Sequence, residues 1–557
     1  MSDTFQIYCE NLKRYINVRG GETLLEIYER LADEIDVKPI CAHVNNKTEG
    51  LSYSVFKPKK ICFIDERTPS GQRVYVRSLS MVLAKAVYDL YPKAQLVIEH
   101  SISKGYYCQL KGCTECDVEK IKQRMQEITA ADYAFEYNER LTTDVIPLFE
   151  QQGMADKVSL LSSLCDLYTV YYRLDNFVDS FPGCLAPSTR YVSVFDLVKY
   201  QEGMLLLPAD FAGDKTQPAK MVKQEKLFKA FTDYIKFNEI VGVSNVGMLN
   251  KVVDGKNRSD VDMLINVAET LHDKMIGRIA DTIAERYRKG GARVVLIAGP
   301  SSSGKTTTTK RLSIHLLANL IKPQMISLDN YFVERDKTPR DENGDYDYES
   351  LYALDIEQFN KDLNALIRGE EVAMPTYDFA TGKRVYKENK LKLTDNTILL
   401  MEGIHGLNPE LTKSIPDEQK FKVYVSALTT LSIDNHNWVP TTDNRLLRRI
   451  IRDYKYRGTS ALDTIARWQS VRRGEEKWIF PYQENADAMF NSSLIFELGV
   501  MKDFAEPILK KVPHDVPEYA EAYRLLAFLR FFKEIGGRQV PSTSLLREFL
   551  GGSSFKY

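Results

Sequence analysis

Residues 293–309 read Arg-Val-Val-Leu-Ile-Ala-Gly-Pro-Ser-Ser-Ser-Gly-Lys-Thr-Thr-Thr-Thr. Gly299 is followed by Pro300, Ser301, Ser302 and Ser303, then by Gly304, Lys305 and Thr306, which is the G-x-x-x-x-G-K-T pattern of a phosphate-binding loop. Glycines let backbone N–H groups turn inward into a concave anion site. The helix that follows adds the positive end of its dipole. Lys305 offers a point charge to the β- and γ-phosphates, Thr306 a hydroxyl to Mg²⁺, and Thr307 continues the cradle. The context agrees. Arg293–Ala298 is an apolar, β-branched run that reads as a buried parallel strand. Lys305–Ile321 reads as a helix stopped by Pro323.

The surrounding chain sets the scale. Its 557 residues predict three or more domains, and 44% apolar with 27% charged residues predicts globular structure. A net charge of -1 gives no global attraction to nucleic acid or acidic membranes. No apolar run reaches membrane-spanning length, and the first twenty residues carry charges where a leader needs an apolar core. The expectation is a cytoplasmic protein with no membrane partner. All eight cysteines lie between Cys9 and Cys184 and are expected to be free thiols. Cys113 and Cys116 are half of a zinc site at most, because no second pair follows at finger spacing.

Upstream of the loop, residues 1–65 read as a small α+β unit. Phe5–Tyr8 and Arg14–Val18 suggest a hairpin. Thr23–Ile35 has helical apolar spacing, and Thr23 with Glu26 forms a capping box. Residues 66–215 read as a second α+β unit, with helices over Ser78–Leu90 and Glu115–Ile128 and short strands over Phe177–Lys199. Residues 216–290 read as helices over Lys223–Phe237 and Asp260–Tyr287, either a helical connector or the first layer of the loop-bearing domain.

The front carries a resemblance. The stretch from Arg73 to Pro92 looks like the start of the editing domain of threonyl-tRNA synthetases, and Asp175–Thr189 resembles a later part of it. Residues 1–65 are similar to the ubiquitin-like TGS module that precedes that domain. The family's His-x-x-x-His pair falls on Arg77 and Met81 here, and its Cys and His on Phe181 and Leu185. Neither Phe nor Leu binds Zn²⁺ or moves protons. The resemblance therefore implies a retained scaffold without hydrolytic editing, with RNA contact as the alternative role of these modules.

Downstream, Met325–Leu328 reads as a strand with Asp329 at its carboxyl end, and Thr397–Met401 as another ended by Glu402. Ligands of open parallel sheets sit outside the carboxyl ends of strands. Asp329, Glu402 and the loop are thus expected in one crevice, where the two carboxylates and Thr306 would serve Mg²⁺ and an attacking hydroxyl. Arg445, Arg448, Arg449 and Arg452 recur at helical spacing, with Arg457 beyond them, which suits guanidinium forks meeting phosphoryl charge. The residues Pro517–Phe532 read as an amphipathic tail helix within residues 501–557.

Residues 291–500 resemble the uridine kinase/phosphoribulokinase family of P-loop kinases. The fold implied is α/β: a P-loop NTPase-type parallel sheet with helices on both faces, preceded by two smaller α+β modules. Ser327–Phe332 matches the segment whose Asp is the general base for a nucleoside 5′-hydroxyl, which falls on Asp329. Leu399–Ile404 matches the strand whose Glu helps hold Mg²⁺, here Glu402. Pro375–Arg384 matches the base-recognition segment, and Asn444–Gly458 the lid helix. The resemblance implies ATP and Mg²⁺ as cofactors. It implies substrate contacts from Tyr331, Asp347 or Glu349, Tyr377 and Arg384, with Lys305, Arg449, Arg452 and Arg457 as catalytic cations. The pyrimidine-reading His position is Gly382, so the base is left open. An insertion with His436 and Trp438 has no assigned role. The expected function is a nucleoside kinase, which in this family can be a homo-oligomer. The alternatives are a sugar-phosphate kinase of the phosphoribulokinase type or an RNA- or ribosome-associated nucleotide switch.

Overall fold

The computed structural model describes residues 4–113, 116–255, 258–342, 344–379 and 381–556. Thr114 and Glu115, between the paired cysteines, and Ala380, in the base-recognition segment, lie outside the described residues.

The phosphate-loop strand, β1 (Val294–Ala298), is buried along its whole length. It is flanked by β3 (Thr397–Glu402) and β4 (Lys420–Ser426), both parallel to it. With β2 (Lys322–Ser327) and β5 (Ala488–Asn491) the order is β2–β3–β1–β4–β5, all parallel. Alternate residues of β1 serve opposite cores. Val295 and Ile297 face helix α1 (Lys305–Ala318) and the long helix Ser259–Arg288, meeting Leu312, Ile276 and Ile283. Val294 and Leu296 face Leu328, Phe359 and Met401 on the other side. A strand covered on both faces has no polar side to show, which is why the run reads as continuously apolar. The helix Ser259–Arg288 is thus a layer of this sheet, the second of the two readings of that segment. Pro323 does not stop a helix, as the sequence suggested. The helix ends at Ala318, and Pro323 is the second residue of edge strand β2, where a missing N–H is tolerated.

The front half contains two further α+β assemblies. Residues 4–64 form a five-stranded sheet whose hairpin pairs Thr4–Cys9 with Arg14–Arg19. The helix Leu24–Leu31 covers one face and carries the expected Thr23–Glu26 capping box. Beyond it, a four-stranded antiparallel sheet packs with the helix Pro69–Leu90. That helix begins nine residues before the predicted Ser78, capped by Thr68, and is buried from Val74 to Val87 apart from Arg77. It is a core helix rather than an amphipathic one, so its pattern carries no clean face. The cysteine expectation also needs correction: Cys113 and Cys116 form a disulfide, while Cys9, Cys41, Cys62, Cys108, Cys165 and Cys184 are free. No helix among the described residues is long and apolar enough to cross a membrane.

The insertion with His436 and Trp438 joins the two halves. It is a short hairpin, Ser432–Asp434 with Asn437–Trp438. Trp438 packs on Tyr106, ring centroids 4.4 Å apart, and the Asn435 carbonyl accepts from the Ile98 N–H at 2.7 Å. Beneath it, Lys157 lies 2.8 Å from Asp179 and 2.9 Å from Asp434, and His436 Nδ1 lies 2.7 Å from the other Asp179 oxygen. All four groups are buried. The tail helix Tyr519–Leu529 adds a second tie, with Arg524 bound to Asp443 and Glu521 bound to Arg73.

Two cations and two carboxylates balance only while His436 is protonated. Asp179 holds the imidazole pKa above its ordinary value, working against burial. A histidine raised by folding stabilises fully below the unfolded pKa, and the contribution fades as pH rises through the folded one. Lys157→Met leaves two buried carboxylates facing one imidazole and should cost about 3–5 kcal/mol in urea unfolding. A loss below ~1 kcal/mol would show that this cluster does not hold the halves together.

Candidate phosphoryl-transfer site

The loop between β1 and α1 has the geometry its glycines predict. Ser302 and Gly304 have left-handed φ values of 57° and 82°, a backbone alternation that turns amides to one side. A side chain at Gly299 would place Cβ 1.9 Å from the Val425 carbonyl, so the strand–loop junction admits only glycine. Lys305 Nζ donates to the Pro300 carbonyl at 3.0 Å, folded back over the loop. The hydroxyls of Ser302 and Ser303 are buried with no partner. Orphaned donors in a concave, lysine-capped loop fit an anion.

The carboxylates converge as the sheet order requires. Glu402 ends β3 in register with both Ile297 of β1 and Ser327 of β2. Thr306 Oγ1 donates to the Glu402 carboxylate, 3.1 Å from each oxygen. Asp329 follows β2 on a short helical turn, Leu328–Tyr331. Its side chain reaches water at the cleft mouth, yet surrounding protein raises its pKa, opposed by Lys305, Arg457 and Arg452. Burial pushes Glu402 up to about 7; Lys305 pulls the other way, while Asp329 and Glu548 add to the rise. Among the described residues no three His, Cys, Asp or Glu side chains form a metal cage. Mg²⁺ does not need one: it takes one or two carboxylates, keeps waters and shares phosphate oxygens. Thr306, Glu402 and Asp329 supply that kind of donor set.

The arginines of helix α2 (Thr441–Arg457) divide into two groups. Arg445 and Arg448 are fully buried braces. Arg445 donates to the Ser301 carbonyl at 2.9 Å and pairs with Glu475; Arg448 pairs with Glu497. Glu475 also accepts from the Ser301 N–H at 3.1 Å. Arg449 bonds the Ser301 hydroxyl at 2.7 Å and Asp453 at 2.6 Å. Arg457 lies 3.2 Å from Asp453 and is half exposed. Arg452 is crowded by protein and by Arg457, which brings its pKa down to about 10. The sequence reading placed Arg445, Arg448, Arg449 and Arg452 on one face, with Arg457 at its end. Only Arg449, Arg452 and Arg457 face the cleft's charge.

On the acceptor side some expected contacts change. Tyr331 turns into the core, and its hydroxyl donates to Asp362 at 3.2 Å. Arg384 pairs with Asp355 at 2.8 Å. Neither is presented to a ligand, because each satisfies a neighbouring carboxylate. Asp347 accepts the Glu349 N–H in a local turn, whereas Glu349 has one oxygen buried without a partner. Burial and Glu475 push Glu349 up to about 7, opposed by Arg449 and Lys305. Tyr377 is buried in an aromatic group with Phe332 and Phe379, at 5.5 and 5.0 Å between centroids. Phe332 also meets Tyr348, and Phe379 and Tyr348 are exposed. Gly382 is a turn residue at φ 70° whose carbonyl accepts the Arg335 N–H. His405 is buried, and burial brings its pKa down to about 4 against the opposing effect of the Ser350 backbone. In the front half, Arg77 donates to the Cys184 carbonyl and packs on Gly183, while Met81, Phe181 and Leu185 are core residues.

Comparison with known proteins agrees with this geometry. Residues 294–495 match the family Phosphoribulokinase / Uridine kinase. A uridine kinase of Staphylococcus aureus strain JH9 is 28% identical over 195 residues, 35% of this chain and 84% of that one. The front matches threonine–tRNA ligases: that of Carboxydothermus hydrogenoformans is 28% identical over 180 residues, 32% of this chain and 28% of the ligase. The chain therefore spans under a third of the length of the ligases it matches. A solved structure, "a Possible Uridine Kinase from Bacillus stearothermophilus", is 22% identical, covers 36% of this chain and 89% of that one, and has a TM-score of 0.25. The loop-bearing region is thus similar in sequence to the Phosphoribulokinase / Uridine kinase family over residues 294–495.

A carboxyl whose pKa is raised by folding binds a proton that the unfolded chain has released. Stability therefore falls as pH climbs from about 4.5 towards 7 and stays low above. Glu402→Gln should be more stable than the parent by roughly 1–3 kcal/mol at pH 8, with the gap shrinking to under about 1 kcal/mol at pH 5. Urea unfolding at the two pH values checks this, and equal destabilisation at both would contradict it.

Proposed function

We propose that this protein transfers the γ-phosphoryl group of ATP to the 5′-hydroxyl of a nucleoside. The supporting observation is the convergence of three strand ends: loop, Glu402 and Asp329 lie side by side on β1, β3 and β2. A transferring phosphoryl group needs positioning and charge compensation more than covalent help. Lys305 and the loop amides hold the phosphates. Thr306 and Glu402, with Asp329 nearby, hold Mg²⁺, which when bound neutralises charge on the phosphate oxygens. Asp329 accepts the hydroxyl proton; its raised pKa makes it a better base than an ordinary aspartate. Arg449, Arg452 and Arg457 meet charge that develops on the transferring group.

The aromatic group of Phe332, Tyr348, Tyr377 and Phe379 begins three residues beyond Asp329 and favours a flat base over a sugar phosphate. Arg384 on that side is paired with Asp355, whereas among the described residues the Arg335 guanidinium bonds only the Phe379 carbonyl, so a sugar phosphate is the alternative that the substrate panel must separate. For the synthetase-like front we favour a scaffold role over RNA contact, since the positions aligned with the editing ligands are taken by Arg77 and by core residues.

ATP consumption against a panel of nucleosides and pentose phosphates tests the reading. Turnover on at least one nucleoside is expected, with Asp329→Asn slower by about 10²–10⁴-fold. Turnover on pentose phosphates alone, or on nothing, would sink it.

A further inference from the structure

The phosphate loop also holds a carboxylate that no kinase motif accounts for. Glu548 lies on a short helical turn, Arg547–Leu550, which is 241 residues from the loop in sequence. One of its oxygens accepts from the Thr307 N–H at 3.2 Å and from the Thr307 hydroxyl at 2.7 Å. The other lies 3.8 Å from Arg452. The glutamate is buried, at 8% exposure, as a phosphate-facing group would be.

Its neighbours make the segment a fitted element rather than a loose end. Leu545 packs on Gly304 so tightly that a Cβ there would sit 2.5 Å from it. Phe549 lies under the Arg448 guanidinium at 5.1 Å. Lys455 donates to the Leu550 carbonyl. Arg547 ties the turn through the carbonyls of Gly537 and Val540. Leu545, Leu546, Phe549 and Leu550 are all buried in the core that β1 and α1 share.

Thr307 stands in the first turn of α1, where the loop amides cradle the α- and β-phosphates. A carboxylate on that amide and hydroxyl, facing Arg452, makes the contacts a phosphate oxygen would make. Two anions cannot share one donor set in a buried site, because their repulsion rises as the local dielectric falls. We propose that residues 545–550 are an autoinhibitory plug, with Glu548 standing in for a nucleotide phosphate. The inference rests on the nucleotide-binding reading above. Seating ATP exchanges one anion for another: the phosphates take Thr307 and Arg452, and Glu548 leaves with its turn. Thr307 and Arg452 keep an anion in both states, so the exchange leaves neither of them facing an empty site. The apparent affinity for ATP is then the intrinsic one reduced by the fraction of molecules with the plug withdrawn.

Two measurements on the full chain test this. The first is the Kd of a fluorescent ATP analogue in Mg²⁺ for wild type, Glu548→Gln and Glu548→Ala. Binding about 10–100-fold tighter is expected for Glu548→Ala, with Glu548→Gln between it and wild type. The second uses wild type alone, so it does not depend on a variant folding. Trypsin cleavage after Arg547, followed by mass spectrometry, should accelerate when MgATP is added. Equal Kd values with Arg547 cleavage unchanged or slowed by ATP would overturn the plug and leave the kinase reading standing. No ATP binding to any of the three proteins would overturn both.

Discussion

A concave row of amides capped by a lysine cannot sit inside a protein without an anion to face it. Much of the structure follows from that electrostatic demand. Glu475 takes the Ser301 amide, Glu548 the Thr307 amide, and Glu402 the Thr306 hydroxyl. Each carboxylate in turn demands a cation. Arg445 answers Glu475, Arg448 answers the nearby Glu497, and Lys305 faces Glu402. A buried pair of this kind contributes little net stability, yet removing one partner is expensive. The cleft is therefore fixed in shape by mutual necessity rather than by strong binding. Glu402 and Glu349, both pushed up to about 7, are the two carboxyls whose charge this network leaves least compensated. Both stand where incoming charge would be met.

The same logic joins the two halves of the chain. The hairpin carrying His436 and Trp438 extends from the loop-bearing domain into the front module, and its polar groups close on Lys157 and Asp179. Arg524 and Glu521 repeat the device through the tail helix, reaching Asp443 on the lid helix and Arg73 on the front helix. The lid helix is thus mechanically connected to the front module, although the front contributes no side chain to the cleft described above.

The sequence anticipated that the loop, Glu402 and Asp329 would converge, and it missed the groups packed around them. The loop, β1 and the acids at 329 and 402 were legible because motif, strand periodicity and strand-end logic all act locally. The arginines of the lid helix were legible as a set. Spacing alone could not separate Arg445 and Arg448, whose partners Glu475 and Glu497 lie 30 and 49 residues away, from those that face the cleft. Tyr331 looked available because its motif neighbour Asp329 is. Its rotamer is set instead by Asp362, on a later helix. The helix from Pro69 was read short because a helix buried on all sides shows no stripe. Glu548 left only a faint trace: one acid among Leu545, Leu546, Phe549 and Leu550. Its partner at Thr307 is a product of tertiary folding, which no local pattern encodes.

The proposed transfer requires donor and acceptor to share one continuous cleft between the loop and Asp329. A bisubstrate analogue tests it most directly: adenosine joined through a phosphate chain to the 5′ position of whichever nucleoside is phosphorylated fastest. Tethering should raise affinity by a factor of about 10²–10⁴ over the tighter of the two halves alone. An analogue that binds no better than ATP would place the two sites apart and contradict the account.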